Sequence, residues 1–214
     1  MYEKEGIAMF KYPRTYHFSF SEGATSDDKI TENDFLLKDK KIMISEKMDG
    51  ENTTIYNNYW HTRSLTSAHQ KYHSKFIKRI QEFQYLIPDN IRICGEDLCV
   101  KHSIFYDRLA DIFLAFSVWE DEVCYSWKDT EEICEMLGIK TVPVLYEGNF
   151  DIDVIKDIAK KTVKLGGEGI VVRNSDSFLY KDFSQNVMKF VRKNHVQTDK
   201  HWSQNEIIYN EVFA

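Results

Sequence analysis

Proline is scarce in this chain, three residues in 214, and glycine is limited to nine. No Pro/Gly/Ser-rich stretch, repeat or low-complexity run interrupts the sequence, so neither a flexible linker nor a solenoid is expected. No run of about 18 apolar residues is present, which excludes a hydrophobic membrane-spanning helix. The opening Met1-Tyr2-Glu3-Lys4-Glu5 lacks the basic-then-apolar order of a secretory signal. The four cysteines, Cys94, Cys99, Cys124 and Cys134, form no C-x-x-C pair. That argues against a zinc ribbon and for buried free thiols in a reducing compartment, with the cytoplasm as the default location. Positive charge is not in excess either. Lys plus Arg number 28 against 34 Asp plus Glu, a net charge of -6. A nucleic-acid partner would need a local basic patch on an acidic body.

What is present suffices for a core. Hydrophobic residues are 43% and aromatic residues 14% of the chain, at a length that suits one ordinary domain. Short apolar or β-branched runs at Lys41 to Lys47, Thr53 to Tyr56, Ile91 to Leu98, Ile112 to Trp119, Thr141 to Tyr146, Ile170 to Arg173 and Val187 to Arg192 read as strands. The Asp49-Gly50 turn between the first two predicts a hairpin. Helical spacing predicts a helix over Ser67 to Tyr85, with Phe76, Ile80 and Phe83 on one stripe and Lys71, Lys75, Lys78 and Arg79 off it. A second helix is capped by Asp129 or Thr130 and stops at Gly138. A third runs from Asp151 to Leu165 and stops at Gly166-Gly167. Strands outnumber helices and the helices are interspersed, which gives an α+β domain built on antiparallel sheets.

The chemistry concentrates in Ser45-Glu46-Lys47-Met48-Asp49-Gly50-Glu51-Asn52. A lysine at the end of an apolar strand is held rigidly and shielded from water. Freeing its amine at pH 7 costs roughly 4.6 kcal/mol from a reference pKa of about 10.4, and desolvation or neighbouring positive charge lowers that cost. Such an amine can attack phosphorus. Alone, K-x-D-G also fits a surface lysine beside a hairpin. His69 and His73 stand four apart, a metal-ligand spacing, but no third ligand or H-E-x-x-H accompanies them. The basic helix face is either solvated or a phosphate-backbone contact. The segment Asn194 to Trp202, with His195, Lys200, His201 and Trp202, either reaches RNA or packs back on the domain.

Further blocks follow in order: His61-Thr62-Arg63-Ser64, Gly95-Glu96-Asp97-Leu98, Phe113 to Trp119, Glu168-Gly169-Ile170-Val171-Val172-Arg173, and Met188-Lys189-Phe190-Val191-Arg192-Lys193. This order resembles the covalent nucleotidyltransferase superfamily of ATP-dependent RNA and DNA ligases and mRNA capping enzymes, and is most similar to RNA ligases of the phage T4 RNA ligase 2 type. Lys101-His102-Ser103-Ile104 and the opening Lys11-Tyr12-Pro13-Arg14-Thr15 add to the likeness, which runs from about Tyr12 to His195. The resemblance implies an ATP-grasp-like ligase fold, a nucleotidyltransferase domain of two largely antiparallel β-sheets flanked by helices, with ATP between the sheets.

The resemblance also implies roles. Lys47 would take AMP from ATP as a phosphoramidate, and Glu46 would line the nucleotide site. Asn52 would contact the α-phosphate, Arg63 would hold the ribose and phosphate side, Glu96 a ribose hydroxyl, and Phe116 would stack on adenine. Glu168 would help hold Mg2+ or Mn2+, and Lys189 would neutralise the α-phosphate. Many relatives carry K-x-K in the last block; here Val191 occupies the second lysine position, and Lys193 is the next cation on the same strand face. The implied substrate is RNA with 5′-phosphate and 3′-hydroxyl ends. Residues 1–214 read as one adenylyltransferase domain without an OB or other C-terminal domain. Self-adenylylation is thus the firmer expectation, and strand joining falls to this chain alone or with a partner repair protein. A degenerate module that grips nucleotide or RNA without covalent chemistry, and a GTP-dependent capping-type transferase, are the alternatives. The intact Lys47, Glu96, Glu168 and Lys189 weigh against the first, and the missing OB domain against the second.

Overall fold

Short β-prone runs need partners distant in sequence, and here they find them in two sheets. The computed structural model describes residues 2–4, 7–65, 70–193 and 206–213. In chain order the first strands are β1 (Tyr2–Lys4), β2 (Ile7–Met9), β3 (Tyr16–His17), β4 (Lys41–Lys47), β5 (Glu51–Ile55) and β6 (Trp60–Thr62), followed by helix α1 (Ser74–Ile80). Then come β7 (Ile91–Asp97), β8 (Phe113–Glu120), β9 (Val123–Cys124), helix α2 (Trp127–Met136), β10 (Lys140–Thr141) and β11 (Val144–Asn149). Helix α3 (Ile152–Lys164), β12 (Gly169–Asn174), β13 (Phe178–Leu179) and β14 (Val187–Val191) complete them. One sheet has five strands in the order β11-β4-β12-β14-β3; the other has seven, β13-β9-β8-β7-β5-β6 with β10 beside β8. Pairing is antiparallel except for β14 with β3 and β10 with β8. β1 and β2 form a separate two-stranded ribbon.

Each sheet buries its outer face under helix. On the five-stranded sheet Ile42, Ile44, Ile170, Val172 and Met188 pack with Ile155 and Ala159 of α3. On the seven-stranded sheet Ile55, Ile93 and Phe113 pack with Phe76 and Ile80 of α1 and Cys134 of α2. The inner faces meet through Met43, Met48, Leu98, Leu114, Trp127 and Val142 on one side and Cys94, Trp119, Cys124, Phe178 and Phe183 on the other. β4 is consequently buried on both faces, and its Lys47 emerges at the seam.

The predicted hairpin does not form. β4 pairs with β11 and β12, whereas β5 pairs with β6 and β7, so Asp49-Gly50 carries the chain from one sheet to the other. A turn signal between two β-prone runs specifies a change of direction, not a local partner. A Cβ on Gly50 would run into Asp97 O and lie 2.9 Å from Glu96 Cγ, so the crossing needs a residue without a side chain. The predicted β run from Thr141 splits for a similar reason. Pro143 has no amide to donate, and the chain passes there from β10 to β11, with Pro143 O accepting from Glu46 N at 2.9 Å.

The long first helix is also shorter than its periodicity suggests. Only Ser74–Ile80 is α-helical, between 3-10 turns at Lys71–His73 and Gln84–Leu86, and residues 66–69 lie outside the described set. Its first turn carries no acidic residue, and Lys71, Lys75, Lys78 and Arg79 repel one another at helical spacing. α2 starts three residues earlier than expected, because the Ser126 hydroxyl accepts from Asp129 N at 3.1 Å. The predicted stops hold: Gly138 and Gly166 adopt φ of 66° and 95° just past α2 and α3. The last strand ends at Val191, one residue short of the expected Arg192.

Replacing Gly50 by alanine is expected to lower stability by about 2 kcal/mol or more, a fall in Tm of roughly 4–8 °C. Thermal unfolding of the G50A chain checks this; an unchanged Tm would show that the crossing tolerates a side chain.

Candidate active site

Strand register brings the polar residues together. Glu168 immediately precedes Gly169, which lies opposite Lys47 on the neighbouring strand, and Lys47 Nζ donates to Glu168 Oε2 at 2.6 Å. One strand further, Lys189 lies opposite Val171, which lies opposite Ser45, so Lys189 shares the inner face with Ser45 and Lys47. Across the seam, Asn52 and Glu96 are a cross-strand pair of β5 and β7. Gly50 N donates to Glu96 Oε1 at 3.3 Å, tying the crossing turn to that carboxyl. The turn is braced from the other side as well. Asp49 Oδ2 accepts from Ser103 N and Ile104 N at 2.7 and 2.6 Å, and Asp49 N donates to the Tyr106 hydroxyl at 2.9 Å. Asn210, from the far end of the chain, accepts from Tyr106 N and donates to Leu98 O.

A cavity of about 270 Å³ lies between the sheets. Glu46, Lys47, Asn52, Arg63, Glu96, Phe116 and Lys189 all contribute to its wall. Glu168 reaches the site through its bond to Lys47. Lys193 is not brought in: it is exposed, beyond the end of β14, because alternation stops with the strand. Val191, at the second lysine position, is buried opposite Gly169.

Phe116 owes its aim to an irregularity. The β7–β8 register slips between Cys94 and Gly95, which pair with Ser117 and Ala115, leaving Phe116 as the extra residue of a bulge. Adjacent Phe116 and Ser117 can then both face the cavity. Arg173 clamps the bulge across the seam, its Nη1 donating to Phe116 O at 3.2 Å and Nη2 to Tyr125 O at 2.8 Å. Tyr12 packs edge-on against Phe116, with ring centroids 5.1 Å apart, and also lines the cavity.

The electrostatics run against the simplest expectation for Lys47. Burial pulls its pKa down, but Glu168, Glu96 and Asp49 pull harder, and the ammonium is held above the ordinary lysine range. Its side chain is 24% exposed and that of Glu168 6%. Burial pushes the Glu96 carboxyl up to about 8, with Lys47 opposing and Glu168 adding to the rise. Burial likewise raises Glu46. Lys189 moves down, through burial and the charge of Lys47, although Asp28 lies 3.7 Å away. Burial alone would raise the Asp28 carboxyl, but the Thr25 amide and hydroxyl, Lys189 and His17 hold it near 2.

Sequence reasoning gave no role to Tyr12, Asp28, Tyr106 or Asn210. Tyr12 and Asp28 belong to a segment whose polar, irregular composition carries no periodic signal. The other two act only through contacts distant in sequence. Behind Asn52 and Glu96, the next pair, Glu51 and Asp97, forms a trio with His73, buried except at Glu51, their polar atoms within 4.8 Å of one another. His73 Nδ1 accepts from Gln70 N at 2.9 Å, so Nε2 carries the proton and donates to Glu51 Oε2 at 2.9 Å. That tautomer fits a hydrogen-bonded brace, not a metal ligand. His69 and Asn194 to Trp202 lie outside the described residues. All four cysteines are free and buried.

A carboxyl raised by the fold favours the folded state below its unfolded pKa and loses that advantage as pH rises through the folded one. For Glu96 that window runs from the ordinary glutamate range to about pH 8. Glu96→Gln, which stays neutral, is therefore expected to match the parent near pH 4 and exceed its Tm by about 3 °C or more at pH 8. Melting curves across that range check it; a variant less stable at pH 8 than at pH 4, relative to the parent, would contradict it.

The RNA ligase family pattern matches residues 40–191 of the 214. No curated protein matches the chain in sequence. Among solved structures, an archaeal ATP-dependent RNA ligase is similar at a TM-score of 0.58 and 13% identity, over 86% of this chain and 48% of that one. A candidate ATP-dependent DNA ligase from Aquifex aeolicus is similar at 0.56 and 16%, over 88% and 51%. A variant of the Naegleria gruberi RNA ligase with ATP and Mn is similar at 0.52 and 15%, over 87% and 61%. At such identities the likeness is one of fold, and this chain spans about half the length of the archaeal ligase. The two mostly antiparallel sheets with a polar seam are thus the ligase nucleotidyltransferase fold, and the family match over the segment from β4 to β14 means that the chain belongs to the RNA ligase family.

Proposed function

We propose that this chain is the adenylyltransferase unit of an ATP-dependent RNA ligase. The observation that carries the reading is Lys47 at the meeting of two sheets, bonded to Glu168 and facing Glu96, Asn52 and Lys189. Lys47 Nζ attacks the α-phosphorus of ATP as the free amine. A phosphorus–nitrogen bond forms, the bond to the bridging oxygen breaks, and pyrophosphate leaves with the electron pair. Glu168 Oε2, at 2.6 Å, is placed to take the amine's proton. The AMP then passes to an RNA 5′-phosphate, the lysine regaining a proton as the phosphorus–nitrogen bond breaks. A 3′-hydroxyl attacks that phosphate and displaces AMP, joining the ends.

The other residues bind and orient. Phe116, aimed by its bulge, offers an aromatic face to the base, worth about 1–3 kcal/mol for stacking. Glu96 holds a ribose hydroxyl, Glu46 and Arg63 flank the nucleotide, and Asn52 and Lys189 meet the α-phosphate. The buried Asn52 Oδ1 has no partner among the described residues, which supports a bound group there. Three carboxyls, Glu46, Glu96 and Glu168, stand with two ammonium groups, and burial raises two of the three. That surplus of hard oxygen donors fits Mg2+ or Mn2+, which Glu168 would help to hold, directly or through water. A bound divalent ion would supply charge compensation at the α-phosphate and relieve the hold of Glu168 on Lys47. Four buried free thiols suit a cytoplasmic setting, and among the described residues no helix is long and apolar enough to cross a membrane.

Incubation with magnesium and α-labelled ATP, followed by a denaturing gel, tests the reading. The expected result is a labelled protein band that Lys47→Ala abolishes. No band, or one that persists in the variant, refutes it, and label from GTP instead would indicate a capping-type transferase. Because Lys47 is held as an ammonium, the labelling rate is expected to rise with pH across the neutral and alkaline range.

A further inference from the structure

Beside the nucleotide cavity lies a second, more open depression lined by Lys11, Tyr12, Pro13, Arg14, Arg63, Ser64 and Tyr180. Tyr12, Pro13 and Arg63 line both, so the two are continuous at that rim. Three of its residues are cations, in a chain of net charge -6. Among the described residues, none of Lys11, Arg14 and Arg63 is in a salt bridge. By contrast, Arg79 is held by Asp111 and Glu82, and Lys189 by Asp28.

The backbone of this rim is fixed. Tyr180 donates its hydroxyl to Lys11 O at 2.5 Å, and Pro13 sets its own φ. Arg14 Nη1 donates to the uncharged Asp27 O at 2.7 Å, which orients the guanidinium without neutralising it. Burial and the charge of Arg14 lower the pKa of Arg63 against the opposing pull of Asp28, so the two guanidinium groups stand close enough to repel. Unpaired cations held close together on a rigid edge form a site for a multivalent anion, and two guanidinium forks match phosphate oxygens.

We infer that Lys11, Arg14 and Arg63 form a phosphate subsite that takes phosphate groups beyond the α-phosphorus. The inference rests on the ligase reading and extends it to the irregular N-terminal segment, which the sequence motifs leave without a role. Two sources share this chemistry: the β- and γ-phosphates that leave as pyrophosphate, and the 5′-phosphate of the RNA end that later receives AMP.

The test compares the full chain with Arg14→Ala, Lys11→Ala and Arg14→Lys, and with Lys78→Ala on the exposed face of α1 as a control for charge alone. Inorganic pyrophosphate is first titrated into each protein calorimetrically, which needs no covalent step. Protein labelled with AMP and freed of nucleotide is then challenged in separate arms. One arm adds pyrophosphate and follows release of ATP; the other adds 5′-phosphorylated RNA and follows transfer of label, with 5′-hydroxyl RNA as blank. For Arg14→Ala the concentration giving half-maximal release or transfer is expected to rise about 10-fold, the loss of one or two charge-assisted hydrogen bonds. Arg14→Lys should recover part of this, and Lys78→Ala should match the parent. A defect confined to the pyrophosphate arm assigns the subsite to the nucleotide, and one confined to the RNA arm assigns it to the RNA end. Parent-like behaviour of Arg14→Ala and Lys11→Ala in both arms overturns the inference while leaving the ligase reading intact. A parent protein that takes no label refutes the ligase reading instead. The pyrophosphate titration then decides the subsite: equal affinity of parent and Arg14→Ala overturns it, and weaker binding by the variant upholds it.

Discussion

The ion pair of Lys47 with Glu168 is the constraint around which the rest of the molecule is arranged. It joins neighbouring strands at the inner edge of a sheet, with the carboxylate almost fully buried and the ammonium three-quarters so. Desolvating both partners is costly, and a pair so placed is a poor source of stability compared with apolar side chains of similar size. Its geometry makes better sense as preparation for chemistry. The amine is fixed in position but held as its conjugate acid, and what holds it is also the nearest base. On the proposed reading, the reactivity of Lys47 depends on whatever relaxes the grip of Glu168 and Glu96, so that the amine does not react with any electrophile that happens to enter.

Placing that pair at a seam requires the chain to change sheets twice near it, at Asp49-Gly50 and at Val142-Pro143. Each crossing is tied back to the site. Gly50 N binds Glu96, Asp49 is gripped by Ser103, Ile104 and Tyr106, and Pro143 O receives the amide of Glu46. Asn210 extends this bracing to the C-terminal segment through Tyr106 and Leu98. Arg173 performs the corresponding task on the Phe116 side, spending three of its donors on backbone carbonyls of Phe116, Asn174 and Tyr125. A guanidinium so occupied is a clamp between sheets and not a phosphate ligand, although it faces the same cavity.

Much of this was legible in the sequence because short polar blocks interrupt apolar strands at the positions where strands end. Lys47, Glu96 and Glu168 each stand at such a point, and strand ends that converge on one seam bring them together. The limits of the reading were equally physical. Periodicity describes a strand but not its partner, so β4 and β5 looked like a hairpin when they belong to different sheets. Alternation placed Lys193 beside Lys189, yet the strand stops at Val191 and the pattern lapses with it. The bulge that aims Phe116 leaves no mark in the local sequence, since it is a property of register between two strands. The helix stops at Gly138 and Gly166 were readable because a left-handed residue is a local requirement.

Charge distribution follows the same division between local and assembled properties. The whole chain is acidic, so a nucleic-acid partner requires a local basic patch. The fold pairs carboxylates with the cations inside the cavity and leaves cations at its rim out of salt bridges among the described residues. Lys47 meets Glu168, Lys189 meets Asp28 and Arg79 meets Asp111. On the rim of the cavity, Arg14 is oriented by a carbonyl, and Arg63 and Lys11 stand without a salt-bridge partner among the described residues. The net charge repels an approaching anion, whereas this edge attracts one, and the edge adjoins the cavity that Lys47 lines. In an acidic protein this arrangement sets local positive charge beside Lys47, where the net charge alone would disfavour a phosphate.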